Sequence, residues 1–136
     1  MEGIYQQVST ENLNSFLEEI GTPLLIRKRL DTLKPLMYVR NIGAGQWKVT
    51  TETTLKSISQ KFTFDRACPY VDPYTGKQYT MTVTQESENT WVMHQISTIS
   101  GGKNICIIWK FREVDVTITS ICGDVVAKQF FQFAKI

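Results

Sequence analysis

The sequence predicts a mainly β protein: about ten short antiparallel strands forming an up-and-down barrel or a sandwich, behind two helices near the N-terminus. Three observations predict it. From Leu36 onward apolar and polar residues alternate with period two, and Gly, Pro, Asn or Asp interrupt the alternation at short intervals. Helical periodicity occurs only between Thr10 and Leu33. No apolar run approaches the roughly 18 residues that a membrane-spanning helix needs.

The first helix is read from Leu13, Phe16, Leu17 and Ile20, one stripe at i, i+3, i+4, i+7, with Gly21 placed to end it. The second starts with Thr22 as its cap and Pro23 in its first position, where a missing N–H costs nothing. Leu25, Ile26, Leu30 and Leu33 form its expected apolar side, Arg27, Lys28 and Arg29 its basic side, and Pro35 stops it. Strands are then expected over residues 36–42, 47–54, 57–64, 78–84, 90–96, 104–112, 116–121 and 125–133, with residues 4–8 as an N-terminal strand. Gly43 to Gly45, Asp72 to Lys77, Glu86 to Asn89, Ser100 to Lys103 and Gly123-Asp124 supply the turns. Residues 112–115 hold neither Gly nor Pro, and a turn is expected there because a strand from Asn104 to Ile121 would be implausibly long.

A chain of 136 residues fits one domain, residues 1–136. Its 42% hydrophobic and 21% charged content is that of a globular protein, and a net charge of +2 gives no electrostatic argument for nucleic acid. The first seven residues carry neither a basic leader nor an apolar segment, so no signal peptide is expected. Cys68, Cys106 and Cys122 are odd in number and lack CxxC spacing, which fits reduced structural thiols rather than a disulfide scaffold or a zinc site. His94 alternates away from Trp91, Met93 and Gln95 and so faces outward. No partner at catalytic or metal-ligand spacing is visible, and no P-loop, GxSxG or HExxH motif occurs. No catalytic residue, metal or cofactor is expected.

Side-chain alternation assigns the inner faces: Trp47, Val49, Thr51 and Thr53; Ile58, Gln60, Phe62 and Phe64; Tyr79, Met81 and Val83; Trp91, Met93 and Gln95; Ile105, Ile107, Trp109 and Phe111. On the last strand Val125, Ala127, Gln129, Phe131 and Phe133 share a face, apolar apart from one amide. An unpaired buried polar group costs about 1–3 kcal/mol, so a solid core would seldom keep Thr51, Thr53, Gln60, Gln95 and Gln129. Several inward amides point instead to a cavity holding water or ligand.

Together these residues resemble the intracellular lipid-binding proteins, which include fatty-acid-binding and cellular retinoid-binding proteins. Gly3-Ile4-Tyr5 and Glu11-Asn12-Leu13 are similar to the family's opening Gly-x-Trp and Glu-Asn-Phe, and Thr51-Glu52-Thr53-Thr54-Leu55-Lys56 to its Thr-x-Ser-Thr-Phe-Lys. Ile20-Gly21 and Arg27-Lys28 resemble its helix–turn–helix, Pro35 and Gly43 fit its second strand and turn, and Gly123-Asp124-Val125-Val126 leads into the last strand as expected. The resemblance implies a ten-stranded, calycin/lipocalin-like antiparallel barrel with a helix–turn–helix lid, holding one hydrophobic ligand. It further implies an intracellular carrier, cytoplasmic and for several members also nuclear, expected here as a monomer.

Fatty-acid and retinoic-acid binders typically end in Arg-x-Tyr, which holds the ligand carboxylate; those positions read Gln129 and Phe131 here. The run from Val126 to Phe131 looks instead like the Val-Cys-Lys-Gln-x-Phe of cellular retinol-binding proteins. The family's second anchor falls at Trp109, or at Lys110 if one turn residue is missing, and the retinol binders' inward lysine falls at Met37. A buried guanidinium demands an anion, whereas Gln129 can donate to or accept from an alcohol, aldehyde or amide. The sequence therefore favours a neutral or weakly polar lipid such as a retinoid, with a long-chain fatty acid anchored by Lys110 or Arg112 as the alternative. A self-filled barrel acting as an interaction module is the reading from another class. The expected ligand residues are Gln129, Phe131, Trp109, Lys110, Met37, Thr51, Thr53, Gln60, Phe62, Tyr79, Met81 and Gln95. The resemblance places a portal at Arg27, Lys28, Leu30, Leu55 and Tyr74, where the basic lid residues would touch anionic membranes.

Overall fold

A computed structural model describes residues 1–135. Strand β1 (Gly3–Glu11) leads into helices α1 (Leu13–Glu19) and α2 (Leu24–Thr32). Nine strands follow: β2 (Leu36–Gly43), β3 (Gln46–Glu52), β4 (Ser57–Thr63), β5 (Cys68–Val71), β6 (Gln78–Ser87), β7 (Thr90–Ser97), β8 (Ile105–Phe111), β9 (Asp115–Cys122) and β10 (Val125–Lys135). All pair antiparallel in one ten-stranded sheet ordered β4-β3-β2-β1-β10-β9-β8-β7-β6-β5. The first and last strands thus meet in the middle of the sheet, which curls until β4 approaches β6. The result is a nearly closed barrel whose two remaining edges, on β4 and the four-residue β5, face each other.

The period-two pattern is realised strand by strand. Trp91 and Met93 on β7, Met81 and Val83 on β6, and Trp109 and Phe111 on β8 all point inward and are buried. Trp91 is fully enclosed, with ring centroids at 4.7 Å from Phe111, 5.1 Å from Trp47, 5.5 Å from Phe62, 5.6 Å from Phe64 and 5.7 Å from Trp109. This cluster fills one end of the barrel. At the other, Phe16 of α1 and Ile20 just past its end pack on Tyr79, Ile105, Cys122 and Ala127. The last carbonyls of α1 are held by cations. Lys77 Nζ donates to the Ile20 carbonyl at 2.8 Å, and Lys103 Nζ to the Glu19 carbonyl at 3.3 Å and to its carboxylate at 2.6 Å.

Several expectations are corrected. Thr22 does not cap α2: Pro23 occupies the N-cap position in an extended conformation, and the buried Thr22 hydroxyl has no partner among the described residues. No α2 residue is buried, and Leu25 is 77% exposed, so this helix lies over the barrel mouth rather than in the core. Residues 68–71, assigned to no strand from sequence, form β5; four residues including a proline carry no readable alternation, and an edge strand tolerates both. Strand β3 ends at Glu52, so Thr53 and Leu55 sit in a turn where the Thr53 hydroxyl accepts from the N–H groups of Leu55 and Lys56 at 3.1 Å. The unpunctuated turn at residues 112–115 is present, closed by Arg112 N–H to the Asp115 carbonyl at 2.8 Å and by an Arg112–Asp115 ion pair at 2.9 Å.

Because Trp91 has five aromatic neighbours and no exposed surface, Trp91→Ala is expected to cost about 3–5 kcal/mol, read as a lowered urea midpoint with an unchanged m-value.

Candidate ligand-binding site

Between the aromatic cluster and α1 lies a cavity of about 260 Å³. That is far above the roughly 10–15 Å³ that admits one water. Phe16 and Leu17 of α1, with Ile20 just past its end, roof it; Met37, Val49 and Ile58 form one wall, and Met93, Ile107 and Ile118 another. Leu30 and Leu33 bring the α2 segment to its rim, with Pro73 and Tyr74 of the β5–β6 turn. Lys56 extends over the Tyr74 ring at 5.4 Å and donates to the Pro73 carbonyl at 3.1 Å, bracing this turn against the β3–β4 turn.

Of the residues expected at the ligand, Met37, Thr51, Thr53, Gln60, Gln95, Trp109, Gln129 and Phe131 line the cavity. Phe62 and Met81 point inward but lie in the barrel core away from the cavity lining, and Tyr79 packs under α1. Lys110 alternates outward from Trp109 and is exposed, and Arg112 is exposed and paired with Asp115. Trp109 therefore takes the inward position that sequence left open between it and Lys110, and neither cation offered as a carboxylate anchor reaches the cavity. At the expected portal, Leu30 and Tyr74 line the rim, whereas Leu55 does not. Lys28 is exposed, but Arg27 is committed to the fold: its side chain, 12% exposed, donates to the Thr22 carbonyl at 2.7 Å and pairs with Glu18 at 3.4 Å.

The polar side chains of the lining are amides, hydroxyls and one carboxyl group. Gln129 Nε2 donates to Gln7 Oε1 at 3.0 Å, and Gln7 Nε2 reaches the Leu33 carbonyl at 3.5 Å. Gln95 Nε2 contacts only the Met93 sulfur, at 3.4 Å. Asp72 is buried at the rim, and its Oδ1 accepts from the N–H groups of Tyr74 at 2.8 Å and Thr75 at 2.9 Å. Burial pushes the Tyr70 phenol well above its ordinary range, and the Asp72 charge adds to the effect. Among the described residues no Lys, Arg or His lines the cavity. Among the described residues Asp72 is the one carboxyl group in the lining.

Sequence reasoning missed Gln7, Tyr70, Asp72 and Ser120 in the lining. Gln7 had a usable signal, since it shares a strand face with the apolar Tyr5. Tyr70 had none, because its strand was not recognised. Burial raises the thiols of Cys68, Cys106 and Cys122, so all three rest as protonated free thiols. His94 is exposed on the outer wall, and no metal-holding cluster occurs among the described residues.

Comparison with known proteins agrees with this geometry. Residues 2–130 match the family model described as the lipocalin / cytosolic fatty-acid binding protein family. A Clonorchis sinensis protein named fatty acid-binding protein is 32% identical over 120 residues, covering 87% of this chain and 85% of its own length. Fatty acid-binding protein homolog 5 of Caenorhabditis elegans is 27% identical, covering 95% and 93% respectively. The Schistosoma mansoni fatty acid binding protein in complex with arachidonic acid has the same fold, with a TM-score of 0.90 at 19% identity over 98% of this chain and 96% of that one. The chain belongs to the lipocalin / cytosolic fatty-acid binding protein family.

Proposed function

We propose that the protein binds one long-chain lipid of the fatty-acid class non-covalently in its barrel and carries it within the cell. The observation that carries this reading is the apolar-walled cavity of about 260 Å³ roofed by α1. The relatives' names favour a fatty-acid-class ligand over the retinoid that the sequence placed first, and the retinoid preference rests on residues 126–131 alone. The fatty-acid reading needs a different polar anchor from the one sequence supplied, since Lys110 and Arg112 are exposed. Gln129 is the polar side chain we assign to the head group. The aromatic cluster fills only one end of the barrel, which speaks against a wholly self-filled module.

Delipidated protein is expected to take up a fluorescent fatty-acid probe, and oleyl alcohol, which shares the hydroxyl head group of retinol, to displace it at lower concentration than retinol. Retinol displacing more tightly would return the retinoid to first place, and no uptake of either would overturn the carrier reading. Lys110→Ala and Arg112→Ala should leave oleic acid affinity within about twofold, because neither side chain reaches the cavity. Gln129→Arg should raise oleate affinity at least about tenfold while lowering the melting temperature of the empty protein, since the new guanidinium is buried without an anion until the ligand supplies one.

Delivery is proposed to use the outer face of α2, where Leu24 (53% exposed) and Leu25 (77% exposed) adjoin the exposed Lys28 and Arg29. Leu25→Ser with Lys28→Glu should slow probe transfer to vesicles containing anionic phosphatidylserine several-fold and leave transfer to neutral phosphatidylcholine vesicles much less affected. Equal rates for wild type and variant on the anionic vesicles would remove α2 as the docking face.

A further inference from the structure

We propose that the cavity selects a lipid whose head group is uncharged and donates a hydrogen bond, and that Gln7 sets this preference by orienting the Gln129 amide. The inference rests on the reading of the cavity as a lipid site and names the chemistry of its polar end.

The argument starts from a backbone carbonyl, which can only accept. The Leu33 carbonyl lies 3.5 Å from the Gln7 amide, long for an N–H···O contact but far too close to favour an opposing oxygen, so Gln7 turns Nε2 toward it. Gln7 is buried at 5% exposure, and its Oε1 is thereby left facing Gln129. Gln129 must then donate through Nε2, at 3.0 Å. The chain of donors ends on Gln129 Oε1, which has no protein partner among the described residues and belongs to a cavity-lining side chain. The group left for the ligand is an acceptor.

The Trp109 ring lies in the same cross-strand row, since Trp109 on β8 pairs with Ile118 on β9 and Ile118 pairs with Gln129 on β10. Trp109 lines the cavity, but its indole N–H is fully buried and offers no donor to a ligand. Gln129 Oε1 is therefore the acceptor that a head group meets at this end. A hydroxyl can donate to it, and so can a primary amide or a protonated carboxylic acid. An ester can only accept, and an ionised carboxylate would set its oxygens against Gln129 Oε1 in a cavity whose one charged side chain is Asp72.

The test compares four eighteen-carbon ligands that differ only at the head: oleyl alcohol, oleamide, methyl oleate and oleate, each displacing a fluorescent lipid probe from delipidated protein above pH 8. Methyl oleate is the discriminating member, because it is neutral but cannot donate. Wild type is expected to bind oleyl alcohol and oleamide at least about tenfold more tightly than methyl oleate or oleate. Gln7→Met frees the Gln129 amide to turn and should bring the alcohol-to-ester ratio below about threefold; Gln129→Leu should do the same. Alcohol and ester bound within threefold by wild type would overturn the donor requirement while leaving the carrier reading intact. An unchanged ratio in folded Gln7→Met would overturn the role of Gln7. If that variant does not fold, the wild-type ratio and Gln129→Leu still decide the donor requirement. Failure of all four ligands and of the probe would overturn the carrier reading itself.

Discussion

The pairing of β1 with β10 is the contact on which the molecule depends. It runs from Ile4 opposite Lys135 to Glu11 opposite Lys128 and joins the two halves of the sheet. Without it there are a four-stranded and a six-stranded open sheet and no cavity. The ladder slips between Gln7 and Ser9, which drops Val8 out to solvent at 47% exposure and leaves Tyr5 and Gln7 buried. The bulge therefore does more than curve the barrel. It brings the Gln7 amide against Gln129, so that the seam closing the barrel also holds the polar end of the cavity.

The electrostatics of the interior follow from which strand face each charge occupies. Lys110 of β8 and Lys128 of β10 alternate to the outside, and Lys77 and Lys103, in the loops before β6 and β8, are spent on the Ile20 carbonyl and on Glu19. Asp72 is the exception at the rim, and its Oδ1 is taken up by two backbone N–H groups of its own turn. A ligand carboxylate placed among these walls would be desolvated with no cation to receive it, which costs several kcal/mol. A neutral head group carries no such penalty. The fold is shared with fatty acid-binding relatives, and the site chemistry is set by a handful of side chains that the fold leaves free to vary.

Much of this was legible in the sequence because strand alternation is a strong constraint wherever one face is buried. Trp91, Met93 and Gln95 on β7, and Ala127, Gln129 and Phe131 on β10, lie on the faces that period two assigns them. The last strand could be read as an apolar face bearing one amide from nine residues alone. Illegible features were those that depend on distant partners. Gln7 and Gln129 are separated by 122 positions, and nothing local pairs them. Thr22 has the composition of a helix cap, but the tight link between α1 and α2 buries its hydroxyl and gives the cap position to Pro23. Residues 68–71 are a strand only because β6 lies beside them. Lys110 and Arg112 looked available as anchors until the registers of β7, β8 and β9 fixed Trp109 inside.

The central claim is that the interior admits a lipid head group only without charge. Proton uptake tests it most directly: oleic acid binding is measured calorimetrically near pH 8.5 in buffers of differing ionisation enthalpy, with the free acid ionised. The account predicts about one proton taken up per lipid bound, and an affinity for total fatty acid that falls about tenfold per pH unit as ionisation of the free acid competes with binding. Binding with no proton exchange, at an affinity constant from pH 7 to 9, would place an ionised carboxylate inside and contradict it.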